Sequence, residues 1–411
     1  MNKIVLSAIA ALTLGSVAVS ASDVKLYSDD NGQVFTMAGE GRTEVKTTQG
    51  TSVFSKADKL KFSGLTYIGY TYNDAKATLG DGSVNANKDT SDFEIRRGYF
   101  QLKAYLMEDP KSYFRVTYDL KYSSAVDGGS TIVRAKYAYL YLNEILPFTG
   151  VEIGLAHRPW HDYEEHNAWL YRSISKVLIE DKVFGPDLSN SADFGVMTKT
   201  KTQYFDADIG IFNGEGYHNP NNADAGTGMS LEWRTTAHLL GVNGKDKQTK
   251  KTYWDASFFG QWNAGHKSRT VNGVQENQDL IFGGLHTVYN TPSYLVSAQY
   301  VRSQDTSDST VIATGLQNIS EQAGQGYSVN AEYRFGNDYQ YRVLARYDTW
   351  TPEKAVSSDE KDNAGYIAGV AWDQNSNVQW VANVIVADSE TGASREANNG
   401  TQYMLTAEVK F

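Results

Sequence analysis

The chain contains no cysteine and only seven prolines among 411 residues. For an exported protein the first absence removes the disulfide route to stability and leaves backbone pairing to hold the fold. Beyond Leu14 the sequence never approaches the ~18 uninterrupted apolar residues of a helical membrane span. If this chain enters a bilayer, strands carry it across. No Pro/Ser/Gly-rich linker and no shift of composition divides it, which argues against a string of soluble domains. A basic excess is also missing: the net charge is −10, so no nucleic-acid partner is supported. Nor is there a Gly-rich phosphate cradle or a nucleophile beside a placed base, so the expectation is no enzyme and no cofactor.

What is present is patterned. Lys3, the apolar run from Ile4 to Leu14 and the small residues Val19 and Ala21 predict a secretory signal peptide over residues 1–21, cleaved after Ala21. At the other end Tyr403, Leu405, Ala407, Val409 and Phe411 alternate with Gln402, Met404, Thr406, Glu408 and Lys410. That is a strand with one apolar and one wet face, and aromatics at both ends of the apolar face suit contact with lipid. Abundant tyrosine, with eight tryptophans, suits the aromatic girdles of such strands.

From Leu60 onward, alternating runs predict sixteen strands: 60–74, 91–106, 112–122, 131–143, 150–158, 193–200, 202–213, 228–240, 252–264, 279–290, 294–304, 325–336, 339–350, 365–374, 378–388 and 401–411. Short links, such as those at 108–111, 290–292, 336–338 and 374–377, take turns with long polar ones near 75–90, 159–192, 214–227, 265–278, 305–324, 351–364 and 389–400. Sorting of loops by parity belongs to a bacterial outer-membrane barrel, with short periplasmic turns and long extracellular loops. The expected fold class is all-β: a transmembrane antiparallel β-barrel of about 16 strands over residues 60–411, in outer-membrane lipid. Phe114, Val116, Tyr118 and Leu120 would face lipid, while Arg115, Thr117, Asp119 and Lys121 face the lumen. Leu231, Trp233, Ala237 and Leu239 oppose Glu232, Arg234, Thr236 and His238 in the same way. A polar inner face implies a water-filled channel. The runs 131–143 and 279–290 do not separate into two faces.

Residues 22–59 stand apart. Val24 to Tyr27 and Gln33 to Thr36, around Asn31-Gly32, predict a small hairpin. This segment is open to four roles: a periplasmic extension, a pore plug, a subunit contact or a flexible leader. The connection 159–192 differs from the other loops in carrying Trp160, Trp169, Leu170, Tyr171, Ile174, Val177, Leu178, Ile179 and Phe184, with helical spacing between about 163 and 180. Such side chains need a surface to bury against. The loop, third on the long side, is therefore expected to fold inward and narrow the pore; a lid over the mouth or a subunit contact are the alternatives.

Arg158, Arg172 and Lys176 lie in or beside this loop, and Arg97, Lys103, Arg115, Lys121, Arg234, Arg334, Arg342 and Arg346 occupy inward strand positions. Together they are the candidate pore-lining, anion-attracting residues. Asp119, Asp206, Asp208, Glu232, Asp255, Glu332, Asp348 and Glu408 share the inner face, so a mixed-charge lining is the competing reading. His157, His161 and His166 lie near acidic residues, but Pro159 interrupts any helix aligning the first two and no fourth ligand is indicated, so no metal is expected.

The run Phe93 to Lys103 with its double Arg96-Arg97, then Tyr113 to Asp119, Tyr137 to Tyr141, and Val151 to Trp160 ending in Pro159-Trp160, resembles the N-terminal half of the phosphate-selective porin O and P family. The similarity covers about residues 90–215. It implies a sixteen-stranded homotrimeric porin passing small anions, with Arg97, Lys103 and Arg158 as lumen candidates. Tyr99 and the acidic loop residues depart from that family's pattern. The functional expectation is passive diffusion of small hydrophilic solutes, with an anion preference of phosphate-like kind. The alternative is a surface or adhesion protein that uses its long loops and keeps the barrel as anchor.

Overall fold

Sixteen antiparallel strands close on themselves in the computed structural model. They are Leu60–Ala75 (β1), Thr90–Ala104 (β2), Tyr113–Ser123 (β3), Ser130–Leu146 (β4), Thr149–His157 (β5), Ala192–Lys201 (β6), Phe205–Phe212 (β7), Ser230–His238 (β8), Tyr253–Val271 (β9), Val274–Asn290 (β10), Tyr294–Asp305 (β11), Gly324–Phe335 (β12), Tyr341–Pro352 (β13), Asn363–Asp373 (β14), Val378–Ala387 (β15) and Gly400–Lys410 (β16). The structure describes residues 27–29, 34–35, 37–44, 59–75, 77–78, 84–85, 89–105, 107–123, 130–214, 216–217, 228–243, 249–271, 274–305, 322–353, 361–393 and 395–411. The expected signal peptide and the 306–321 stretch lie outside them.

Each barrel strand pairs with its sequence neighbours, and β16 returns to β1, with Tyr403 opposite Tyr72 and Lys410 opposite Leu65. Phe411 and Gly64 exchange two backbone hydrogen bonds, of 2.9 and 3.1 Å, so the terminal residue completes the seam. Closure leaves no sheet edge, and backbone groups in the strands are satisfied within the sheet. Side-chain alternation follows directly: along β12, Tyr327, Val329, Tyr333 and Phe335 are exposed on the outside while Ser328, Asn330, Glu332 and Arg334 are buried inside. The outer surface is thus largely a band of aromatic and aliphatic side chains, with polar residues such as Arg302, Gln304 and Gln325 toward the long-loop ends of β11 and β12.

The N-terminal unit, Met1–Asp58, contains a separate three-stranded sheet of Tyr27–Asp29, Val34–Phe35 and Arg42–Glu44. Tyr27 faces Phe35, in keeping with the expected hairpin, while the other edge of the central strand pairs with Arg42–Glu44, a partner the sequence reading did not include.

Two local expectations change. The long loop at 265–278 is instead a continuation of β9 and β10, paired as far as Val271 opposite Val274, with only Asn272 and Gly273 between them. Asn-Gly between β-branched residues is a tight-hairpin signal, masked there by the polar composition of the flanking strands. Inside 159–192, the helical spacing resolves into a nine-residue helix, Pro159–Asn167 (α1), followed by irregular chain and one 3-10 turn at Leu178–Glu180. Pro159 opens α1 rather than breaking it: at the first helical position its missing N–H has no intrahelical partner to lose.

Candidate functional site: a docked loop and two adjoining cavities

Ten side chains of the loop between β5 and β6 pack in one buried cluster with eleven inward-facing residues of the wall. The loop supplies Trp160, Tyr163, Trp169, Tyr171, Ile174, Val177, Leu178, Ile179, Phe184 and Leu188; the wall supplies Phe259, Leu280, Phe282, Val301, Leu344, Trp350, Ile367, Ala371, Val381, Ala387 and Met404. Trp160 lies flat on Phe259, ring centroids 3.7 Å apart and planes within 4°. Each fully buried side chain of this size contributes about 1.5–3 kcal/mol relative to exposure. The loop therefore folds inward and docks on the β9–β16 side of the interior. This also explains why residues 279–290 would not separate into two faces: Leu280, Phe282 and Val288 point inward, and the first two meet the loop.

Polar contacts fix the docked loop in one position. Tyr163 donates its hydroxyl to Asp255 (2.6 Å), Ser173 to Glu408 (2.5 Å), and Gln299 donates to Glu164 (2.5 Å). Arg346 is held by Asp348 and donates to the Lys176 carbonyl at 2.9 Å, with its guanidinium 4.7 Å over the Trp169 ring. At the loop's root, Arg158 binds Glu232 through Nε (2.9 Å) and Nη2 (2.5 Å), and Gln261 at 2.8 Å. Burial pushes the Glu164 carboxyl up to about 8 and the His161 imidazole down to about 4, so both are neutral near pH 7. Burial pushes Glu180 upward as well, but Arg172 and Lys176, at 3.1 and 2.9 Å, outweigh it and hold that carboxyl below the usual range.

The opposite side of the interior stays open. A cavity of about 370 Å³ is lined by β16, β1, β2, β3, β4 and the loop, including Ser63, Leu65, Tyr67, Tyr99, Arg115 and Lys136. A second, of about 440 Å³, is lined higher on the same strands by Tyr67, Thr71, Asn73, Arg96, Arg97 and loop residues Arg172 to Lys176. Tyr67 and Arg172 line both, so the two cavities adjoin there, one toward the short-turn rim and one toward the long-loop rim. Among the described residues, seven basic side chains line the pair (Arg96, Arg97, Arg115, Lys136, Arg172, Lys176, Lys410) against four carboxylates (Asp92, Glu94, Glu165, Glu408). The lining of these two cavities is thus opposite in sign to the chain's net charge.

Two β-bulges build this wall. Across β1 and β2, Tyr67 faces Arg97 and Ile68 faces Ile95, which leaves Arg96 as the extra residue. Arg96 consequently reaches inward beside Arg97 and donates to the Ser173 carbonyl at 2.7 Å. Across β3 and β4, Thr117 faces Tyr137 and Tyr118 faces Ala135, so Lys136 is extra, and Lys136 and Tyr137 are both buried inside. This parity switch is why residues 131–143 showed no two-faced pattern.

The eleven basic candidates separate into two groups. Arg158, Arg234, Arg334 and Arg346 are buried and bound to Glu232, Asp208, Glu332 and Asp348 respectively, and line neither cavity. Arg342 binds Asp373, Arg172 binds Glu165 and Glu180, Lys176 binds Glu180, and Arg97 binds Asp119 at 3.1 Å. Among the described residues, Lys103 and Arg115 have no carboxylate within 4 Å; their cations rest instead on tyrosine rings, Lys103 4.6 Å over Tyr113 and Arg115 4.7 Å over Tyr137. The side chain of Lys121 lies outside the described residues. Lys61, 5.0 Å over Tyr105, and Lys136, 4.7 Å over Tyr99, join the unpaired set and were not singled out from the sequence. Two of the three histidines meet at Asp162: His157 Nε2 lies 3.1 Å from Arg115 and 3.7 Å from the Asp162 carboxylate, and the exposed His166 lies 2.7 Å from the Asp162 carbonyl and 3.4 Å from its carboxylate, while His161 stands apart on Ser189 (3.4 Å).

No protein-family model matches the sequence, and no curated protein matches it. Solved structures share its fold. OmpT of Vibrio cholerae, folded in vitro and in its trimer form, is 11% identical with a TM-score of 0.52, the match covering 86% of this chain and 99% of that one. Salmonella typhi OmpF in complex with daunomycin is 12% identical, TM-score 0.52, over 86% and 97%. The outer-membrane channel DcaP of Acinetobacter baumannii is 11% identical, TM-score 0.52, over 86% and 97%.

Proposed function

We propose that this chain is an outer-membrane porin: a water-filled channel for passive diffusion of small hydrophilic solutes, with a preference for anions. In this reading residues 1–21 are removed on export and the exposed apolar band contacts outer-membrane lipid. The barrel shared with outer-membrane proteins supports the location, and the adjoining cavities support a path. The observation that carries the anion preference is the row of cations Lys61, Lys103, Arg115 and Lys136, each seated on a tyrosine face and none neutralised by a carboxylate within 4 Å. A ring quadrupole stabilises a cation without cancelling its charge, so the field of these groups remains available to a passing anion. Phosphate specificity of the kind suggested by the resemblance is one case of this preference, and the OmpT trimer form supports a homotrimer.

Purified protein in a planar bilayer under a salt gradient supplies the test. Stepwise conductance is expected, with a reversal potential displaced toward that of chloride. Cation preference would overturn the anion clause, and absence of conductance the porin reading itself.

A further inference from the structure

We propose that the cavity on the short-turn side of Tyr67 and Arg172 is a binding subsite for small aromatic monocarboxylates. The inference deepens the porin reading and rests on it. Lys136 is 4% exposed, yet among the described residues its ammonium meets only the Tyr99 hydroxyl, at 3.5 Å, and two ring faces. Desolvating an ammonium without a carboxylate partner is unfavourable, and an anion in the cavity would relieve that cost. Arg115 adds a second anchor beside it. Its Nε and Nη1 donate to Thr117, Tyr139 and His157, while Nη2 has no protein acceptor among the described residues.

The remaining lining selects what carries the charge. Tyr67, Tyr99, Leu65 and Leu170 present apolar surface that inorganic phosphate cannot use, since it would lose water there and gain no contact. A planar ring gains stacking and burial against the same surface. Glu165 and Glu408 also line the cavity, the first bound to Arg172 and the second to Ser173. Their charge disfavours a second carboxylate on the ligand, which makes the fitting class a monocarboxylate with a ring. A volume of about 370 Å³ accommodates such a molecule.

The test is block of chloride current through the purified full chain by benzoate, acetate, phthalate and phosphate. Benzoate should half-block at a concentration about fivefold below acetate, as expected for one aromatic contact, and below phthalate and phosphate. Lys136→Gln should raise the benzoate value about tenfold, the scale of one charge-assisted hydrogen bond. Tyr99→Ala should raise the half-blocking concentration of benzoate toward that of acetate and leave the acetate value unchanged, and it serves alone if Lys136→Gln does not refold. Equal block by benzoate and acetate, or variants that leave the benzoate value unmoved, would overturn the subsite while the anion-selective porin stands. Cation selectivity in plain chloride, recorded before any organic acid is added, would instead defeat the reading beneath it.

Discussion

Phe259 and its neighbour Phe258 offer a direct measure of what holds the loop inside the barrel. Phe259 is fully buried beneath Trp160, while Phe258, one residue earlier on β9, is 48% exposed on the outer face. Phe259→Ala removes a stacked ring from the wall without touching the loop, and a buried Phe→Ala change costs about 3–5 kcal/mol. Only the docked state contains this contact, so nearly all of that loss falls on docking. At ~1.4 kcal/mol per tenfold, even the lower figure raises the undocked population about 100-fold. Single-channel recording should show excursions to a larger conductance that are rare in the parent and frequent in the variant. Protease cleavage within 159–191 should accelerate in parallel. Phe258→Ala is the control: it removes the same ring from the lipid side and should change neither readout. If Phe259→Ala leaves the conductance histogram and the cleavage rate at parental values while Trp160 fluorescence reports the lost stack, the loop is held by something other than this apolar seat.

Asp119→Asn should strengthen anion preference, because it removes the one carboxylate that binds both Arg97 (3.1 Å) and Arg134 (2.8 Å). A unit charge ~7 Å from the ion path is worth roughly 0.6 kcal/mol in water-like dielectric; its removal favours chloride and disfavours potassium by that amount each, so the chloride-to-potassium permeability ratio should rise about sevenfold, and an unchanged reversal potential would contradict this. Loop docking should also depend on pH: the docked state holds a proton on Glu164 between about 4.5 and 8, and excludes one from His161 between about 4 and 6.5. These oppose each other up to pH ~6.5, above which Glu164 alone acts and docking weakens until pH ~8, so loop cleavage should rise across that window and Glu164→Gln should abolish the rise. Gly195→Ala places a Cβ 2.3 Å from the Ile211 carbonyl and 2.9 Å from the Phe212 Cα, backbone atoms that cannot step aside, whereas Gly283→Ala meets nothing nearer than 3.8 Å. Refolding yield, read from the shift of unboiled protein on a gel, should fall for the first by the ~1–3 kcal/mol of overpacking and hold for the second.

How much of this was legible depended on whether a residue's surroundings were uniform. β12 and β16 read directly from their alternation because their outer face is exposed and apolar and their inner face buried and polar. β4 did not, since one inserted lysine reverses the parity of everything after it, and nothing in Arg134 to Tyr137 marks the insertion. β10 failed for another reason: its inner face is apolar because it seats the loop, a partner more than a hundred residues away in the chain. That the loop turned inward was readable from its own apolar content; where it docked was not. The neutralisation of four arginines was partly within reach. Arg334 and Glu332, like Arg346 and Asp348, stand two apart on one strand face, and Arg234 faces Asp208 directly across β8 and β7.

The same interior handles its cations in two ways, and the difference follows from hydration. Where water is displaced, an arginine has nothing but protein to satisfy it, and four buried ones are bound to carboxylates: Arg158, Arg234 and Arg346 hold the wall to the loop or its root, Arg334 ties β12 to Asn290 and the Thr249 and Thr291 carbonyls, and none contributes a net field. On the inner wall of β1 to β4, Lys61, Lys103, Arg115 and Lys136 rest instead on tyrosines, which support them from one side and leave the charge uncompensated. The net charge of −10 does not oppose this. Exposed acids more than about 8 Å from the path are screened at physiological salt, so an ion passing between the two cavities should sense Arg115 and Lys136, with Arg97 and Arg172 offset by their own carboxylates, rather than the acidic surface. On the proposed porin reading, selectivity follows from which cations the docked loop leaves unpaired, so moving the loop should change ion preference as well as conductance.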